Sequence, residues 1–228
     1  MTCHSDVEVA KALLVNLPVD WDGKASVLAL KAANYNWRQM EWWGFYFELL
    51  CQKSLRSEFQ IPGDKITLIG LGGRKTTVKF DAKRSINWDL KSTAIKLENH
   101  KAILNDQAAM DESIRKYGDH GLIIALCDVE YDNADRAFQK WHEVLKGGKS
   151  KYEIEREQRT SVSRYRKTRA TLVEIRFLVV NAQNVGLLEF YHQGRNSDGT
   201  ARPVKYMLNL KSTDAFLLDR IIFPEVNP

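Results

Sequence analysis

The chain has 228 residues, 44% hydrophobic and 10% aromatic, enough to fold around one large core, and a formal charge of +5. It contains no run of about eighteen apolar residues, and Met1–Asp6 lacks a basic stretch followed by an apolar one; neither a membrane span nor a secretory leader is expected, which points to the cytoplasm. Cys3, Cys51 and Cys127 are far apart and make no C-x-x-C or zinc spacing with the five histidines, which argues against zinc and redox chemistry.

Apolar residues recur at helical spacing from Ser5 to Leu17, and Pro18 ends the pattern. Asp20-Trp21-Asp22-Gly23 reads as a turn, and a second helix is expected over Lys24–Ala33. The most aromatic passage, Asn36 to Cys51, has no interior proline and is apolar on every side, so a largely buried helix is expected. Glu48 lies among Phe47, Leu49 and Leu50, where a carboxylate must find a cation, a donor or a proton. Either an arginine such as Arg38 or Arg56 answers it, or it faces a metal site.

Lys65–Gly70 reads as a strand, and Gly70-Leu71-Gly72-Gly73 as a hairpin turn into Thr76–Lys83. A phosphate-binding G-x-G-x-x-G would need glycine where Lys75 stands. Next comes Val78 to Ser92, two short strands joined by a basic turn. Successive strand side chains alternate faces, so Asp89 and Lys91 share one face and Leu90 takes the other. If the hairpin brings Asp81 beside them, two carboxylates and one ammonium converge. A divalent cation relieves the repulsion between such carboxylates, and a lysine beside it can position water for phosphodiester hydrolysis. The same alternation also fits a surface strand with a cross-strand ion pair.

Asn105 or Asp106 is placed to cap a helix that runs to Tyr117 and stops at Gly118. Gly121–Cys127 is continuously apolar, as in a strand buried on both faces, and strand, helix, buried strand predicts a crossover with parallel pairing. The acids of Asp128–Asp132 form a rival metal site. Asn133 is expected to cap a helix through Lys146. Gly-Lys-Ser at 148–150 is no Walker A motif, since Glu143 stands where its first glycine belongs; no nucleotide cofactor is expected.

Residues 146–169 hold nine Lys or Arg against three Glu, so the net positive charge of the chain is concentrated in one segment suited to a polyanion. Lys149, Lys151, Arg164, Arg166, Lys167 and Arg169, with Arg195 in a later polar loop, are the candidate DNA contacts, and Ser163–Arg169 is favoured among them. Strands are expected at Ala170–Asn181, Val185–His192 and Val204–Leu208, then a last helix capped by Ser212 or Thr213 and running to Ile221.

A helix with an acid, a strand bearing Asp81, Asp89-Leu90-Lys91 on the next strand, then a helix and a buried strand: this order resembles the PD-(D/E)xK nuclease superfamily over roughly Trp37–Cys127. Phe80 stands where the naming proline would be, and the seven residues between Asp81 and Asp89 are a short spacing. The resemblance implies an α/β (α+β) fold with a central mixed β-sheet flanked by helices, in one nuclease domain over 1–228. Within it, 1–60 would supply N-terminal helices, 61–130 the catalytic core, and 131–228 the basic segment with C-terminal strands and helix. By the same resemblance Asp81 and Asp89 would ligate Mg2+, Leu90 would offer its carbonyl, Lys91 would serve the water, and Glu48 would be the helical acid aimed at the site. The size is most like a type II restriction endonuclease acting as a homodimer on double-stranded DNA. A repair or junction-resolving nuclease and a non-catalytic basic DNA-binding protein are the alternatives.

Overall fold

A strand with apolar side chains on both faces must be covered on both sides, and the run at 121–127 sets this architecture. The computed structural model describes residues 2–62, 80–98, 100–149, 153–155, 164–195 and 199–224. In chain order these form α1 (Cys3–Leu14), β1 (Asp20–Asp22), α2 (Gly23–Ala32), α3 (Trp42–Leu55), β2 (Ala82–Lys83), β3 (Asn87–Ala94), β4 (Lys101–Asp106), α4 (Gln107–Tyr117) and β5 (Asp119–Tyr131). They continue with α5 (Ala137–Lys146), β6 (Lys167–Asn181), a 3-10 turn at Val185–Leu187, β7 (Glu189–Tyr191), β8 (Lys205–Asn209) and β9 (Leu217–Ile222).

The large sheet runs β1-β6-β5-β3-β2, with β9 also on β6, and a smaller sheet runs β4-β8-β7. β3 pairs parallel to β5 across the connection through β4 and α4, as the expected crossover requires, and the other described pairings are antiparallel. The fold is therefore α+β with a mixed sheet flanked by helices. Along β5, Ile123, Ala125 and Cys127 join Trp88 and Leu90 of β3 in a core closed by α1, α2 and α3. Leu122, Ile124 and Leu126 point the other way, into a second core with Met110 of α4 and Leu208 of β8.

Several local expectations give way to tertiary partners. Asp20–Asp22 is a strand and not a turn: Trp21 is buried and the segment pairs with Arg169–Thr171. Asp22 does cap α2, accepting from the Ala25 N–H at 2.8 Å. The helix of the aromatic passage begins only at Trp42. The donors at the start of α5 go to Asp132, which accepts from the Phe138 and Gln139 N–H groups at 3.3 and 3.0 Å, whereas Asn133 closes a local turn on the Asp135 N–H. This assigns the buried acid of the rival cluster a capping role. Val185–His192 is divided between the 3-10 turn and β7. The expected last helix is β9, an edge strand on β6, with the turn donors of Phe216 and Leu217 answered by the Thr213 carbonyl. The expected strand Lys65–Gly70, its glycine turn, the first half of Thr76–Lys83 and Ser163 lie outside the described residues.

The hairpin of β2 and β3 is held from outside by Asp6 of α1, whose carboxylate is fully buried. Its Oδ2 accepts from the Ser85 N–H (2.9 Å), the Ser85 hydroxyl (2.7 Å), the Ile86 N–H (3.4 Å) and the Trp88 indole N–H (3.0 Å), and its Oδ1 from Arg84 (3.2 Å). The Trp88 ring lies so near β5 that a Cβ at Gly121 would stand 2.2 Å from it, so only glycine fits there. Asp6→Ala strands these donors and is expected to lower unfolding free energy by roughly 3–5 kcal/mol in urea titrations. Lys11→Ala, which breaks the exposed 2.7 Å pair with Asp219, should cost less than about 1 kcal/mol. Equal losses in the two variants would count against the clamp.

Candidate functional site

In the parallel register Asp89 stands opposite Leu122 and Lys91 opposite Ile124, so both point towards the second core, while Leu90 stands opposite Ile123 and enters the first. Asp89 is 1% exposed. Its Oδ2 accepts from His120 Nε2 at 2.8 Å and from the Asn105 amide. Burial disfavours its charge, but the His120 hydrogen bond, the Lys91 ammonium and Asn105 outweigh burial and hold the carboxyl below the usual range. His120 Nδ1 is buried with no hydrogen-bond partner among the described residues.

Asp81 stands at the mouth of the hairpin, its N–H bonded to the Trp88 carbonyl at 3.0 Å. β2 covers only Asn87 and Trp88 of β3. Just beyond, the Leu90 N–H points outward and is answered by Asp81 Oδ2 at 2.9 Å, a side chain standing in for a strand neighbour. A strand residue turns its N–H and C=O to the same side, so the Leu90 carbonyl faces this edge as well.

Asp81 is where the four acidic and basic candidates meet. Burial pushes its carboxyl well above the carboxylate range; Lys91 opposes the shift, Asp89 and Glu48 add to it, and the Leu90 N–H opposes it again. Glu48, on α3, takes hydrogen bonds from Gln52 at 3.4 Å and from the Tyr35 hydroxyl. Burial first, then Glu48, pushes the Tyr35 hydroxyl up. Of the arginines weighed against Glu48, Arg38 donates to the Lys146 carbonyl at 2.5 Å and stacks on Trp37. Among the described residues no three His, Cys, Asp or Glu side chains form a group that could hold a metal ion. The site thus offers two carboxylates and a backbone carbonyl at one sheet edge, a lysine beside them, and Glu48 acting at longer range.

Asn105, His120 and Tyr35 are additions to the residues read from sequence. Asn105 is visible there only as a helix-cap candidate and His120 only as the residue before a buried run.

The basic candidates lie elsewhere. Arg169 makes a two-pronged pair with Asp20, its Nε donating at 2.6 Å, and Lys167 bonds Glu41 at 2.7 Å while lying over the Trp43 and Tyr131 rings. Arg166 is buried and reaches Glu153 at 3.5 Å. Lys149 and Arg164 are exposed, as is Arg195, which donates to the Gly199 carbonyl at 3.1 Å; Lys151 lies outside the described residues. Lys167 pairs with Tyr131, nine residues along β5 from the Leu122 that faces Asp89. At about 3.3 Å per residue Lys167, near the end of the basic segment, stands roughly 30 Å from the candidate site.

No family model, curated protein or solved structure matches the chain.

A carboxyl with a raised folded-state pKa binds its proton more tightly folded than unfolded, so its contribution to stability falls as pH climbs from about 4 through the raised value. Asp81→Asn keeps an acceptor for the Leu90 N–H and removes the charge. Without divalent cations, the variant should exceed the parent in unfolding free energy by about 1–3 kcal/mol near pH 8, and the gap should close near pH 4. A gap that is constant with pH would mean that Asp81 ionises as in the unfolded chain.

Proposed function

We propose that the protein is a Mg2+-dependent endonuclease of the PD-(D/E)xK type, hydrolysing phosphodiester bonds of double-stranded DNA at the hairpin edge. The observation that carries this reading is Asp81, a half-buried carboxylate whose charge is opposed by burial, Asp89 and Glu48 and, among the described residues, relieved by Lys91 and the Leu90 N–H. A divalent cation supplies the missing positive charge. Mg2+ needs few protein ligands, since one or two carboxylates with waters and substrate phosphate complete its shell, so Asp81, Asp89 and the Leu90 carbonyl suit it without a third acid.

Mg2+ at this edge would polarise the scissile phosphoryl group and favour the ionised form of water. Lys91 orients the attacking water and balances charge gathering on the phosphoryl oxygens. Asn105 and His120 fix Asp89 Oδ2 so that its other oxygen remains for the site. Glu48 adds negative charge behind Asp81, which strengthens the preference for a cation.

The type II restriction reading belongs to the same proposal: a cytoplasmic homodimer whose two-fold axis matches a palindrome, with each subunit cutting one strand. DNA spanning the roughly 30 Å from the hairpin edge to Lys167 would cover about nine base pairs. Among the described residues of that segment Arg164, Lys149 and the Asp20-paired Arg169 are exposed, and Arg195 lies on a separate loop. One observation favours a non-catalytic DNA-binding protein instead: Asp89 is 1% exposed and already takes two hydrogen bonds.

Plasmid digestion with and without Mg2+ separates these readings. Discrete Mg2+-dependent bands are expected from the parent, structure-selective nicking would indicate a repair enzyme, and intact DNA retarded on a gel would leave only binding. Lys91→Ala should lose at least about 100-fold in cleavage rate, near the scale of removing one preorganised charge stabiliser, while retaining DNA binding in Ca2+. Full cleavage by Lys91→Ala would overturn the site. For binding, Arg164→Ala combined with Arg195→Ala should reduce the slope of log affinity against log salt by about 1–2, and an unchanged slope would remove both residues from the contact surface.

A further inference from the structure

Beyond β3, on the side of the large sheet that Asp89 and Lys91 face, the structure contains a concave site that the proposed chemistry does not use. Its volume is about 500 Å³, within the range of small-molecule pockets. Ile95, Leu126, Leu210 and Leu217 make its apolar lining. Its polar lining includes His100, Arg176, Lys211 and Arg220, set against the acids Glu174 and Asp214.

Charge in this cavity does not cancel. Glu174 is shared by two guanidinium groups: Arg176 grips it through Nε and Nη2 at 3.0 Å each, and Arg220 Nη1 approaches to 3.8 Å. The other nitrogen of Arg176 is fixed on the Leu210 carbonyl and the Thr213 hydroxyl, which pins the guanidinium in the cavity wall. Lys211 donates to the Leu97 carbonyl, a neutral partner, and among the described residues no carboxylate pairs with it. Asp214 is exposed at the rim, where solvent screens it.

His100 is 7% exposed, and its Nε2 is buried without a hydrogen-bond partner among the described residues. An orphaned buried imidazole nitrogen is costly unless something enters the cavity to meet it. Burial, with Arg176, Lys96 and Lys211 nearby, lowers the His100 pKa and so favours the neutral ring, which can meet a ligand as a hydrogen-bonding group.

We propose that this cavity binds a small organic anion, its carboxylate or phosphate held by Arg220, Lys211 and His100 and its aliphatic body packed on Ile95, Leu126, Leu210 and Leu217. The site is independent of nuclease activity and stands or falls separately from it.

Hexanoate, hexyl phosphate, inorganic phosphate and hexylamine, titrated against the full chain, test this by thermal shift and by the His100 ring resonances. Expected is saturable stabilisation by hexanoate, hexyl phosphate or both, with movement of the His100 signals, and no saturable response to hexylamine. The head group is assigned by which of the two anions binds. Lys211→Ala or Arg220→Ala, both at exposed positions, should weaken that binding about fivefold or more, as expected for loss of a charge-assisted contact. The proposal is overturned by the absence of saturable binding of either organic anion up to about 10 mM, a Kd weaker than about −2.7 kcal/mol. It is equally overturned if inorganic phosphate or hexylamine binds as well as the organic anions, or if both variants bind as the parent does.

Discussion

One buried carboxylate holds the proposed active edge in place. Asp6 is removed from water completely, and its charge is tolerated because five donors from Arg84, Ser85, Ile86 and Trp88 surround it. Four of these donors belong to the turn and to the first residues of the return strand, so Asp6 dictates the path of the hairpin. The fifth tie, to the Trp88 indole, carries the constraint into the core, where the ring closes over Gly121 of β5. Helix α1, the hairpin and the central strand are thereby referenced to one another, and Asp81 and Asp89 inherit their separation from that frame.

Within the frame, the two candidate ligands live in opposite environments. Asp89 is stabilised as an anion by His120, Asn105 and Lys91, whereas Asp81 is left short of positive charge beside Asp89 and Glu48. One carboxylate is thus anchored and the other unbalanced. That division suits a cation site, in which one ligand provides position and the other gains most from the ion's arrival.

How much of this could be read in the sequence depended on the range over which each residue acts. The alternation of Asp89, Leu90 and Lys91 and the two-faced burial of Gly121–Cys127 are local patterns, and the hairpin, the crossover and the parallel pairing follow from them. β1 and β9 are edge strands whose conformation comes from β6; taken alone, Asp-Trp-Asp-Gly looks like a turn and Leu-Leu-Asp-Arg-Ile-Ile fits a helix equally well. The basic segment is a related case. Its charges are counted in sequence, but Lys167 is answered by Glu41, 126 residues away, and Arg169 by Asp20, 149 residues away. The Asp6 clamp and the His120 contact to Asp89 carry no local signature, because each joins an unremarkable polar residue to a partner known only after folding.

Those same separations govern how the molecule assembles. The hairpin of β2 and β3 is local, but the Asp6 contact that fixes its turn spans 79 residues and the pairing of β1 with β6 spans about twice that. Loop closure over such distances is costly before any packing rewards it, which places folding among the slow, non-local cases of roughly milliseconds to seconds. Until β3 and β6 have paired with it, β5 presents apolar side chains on both faces and unpaired edges. Its cohesion in the finished sheet therefore makes it the segment most prone to intermolecular pairing during synthesis and refolding.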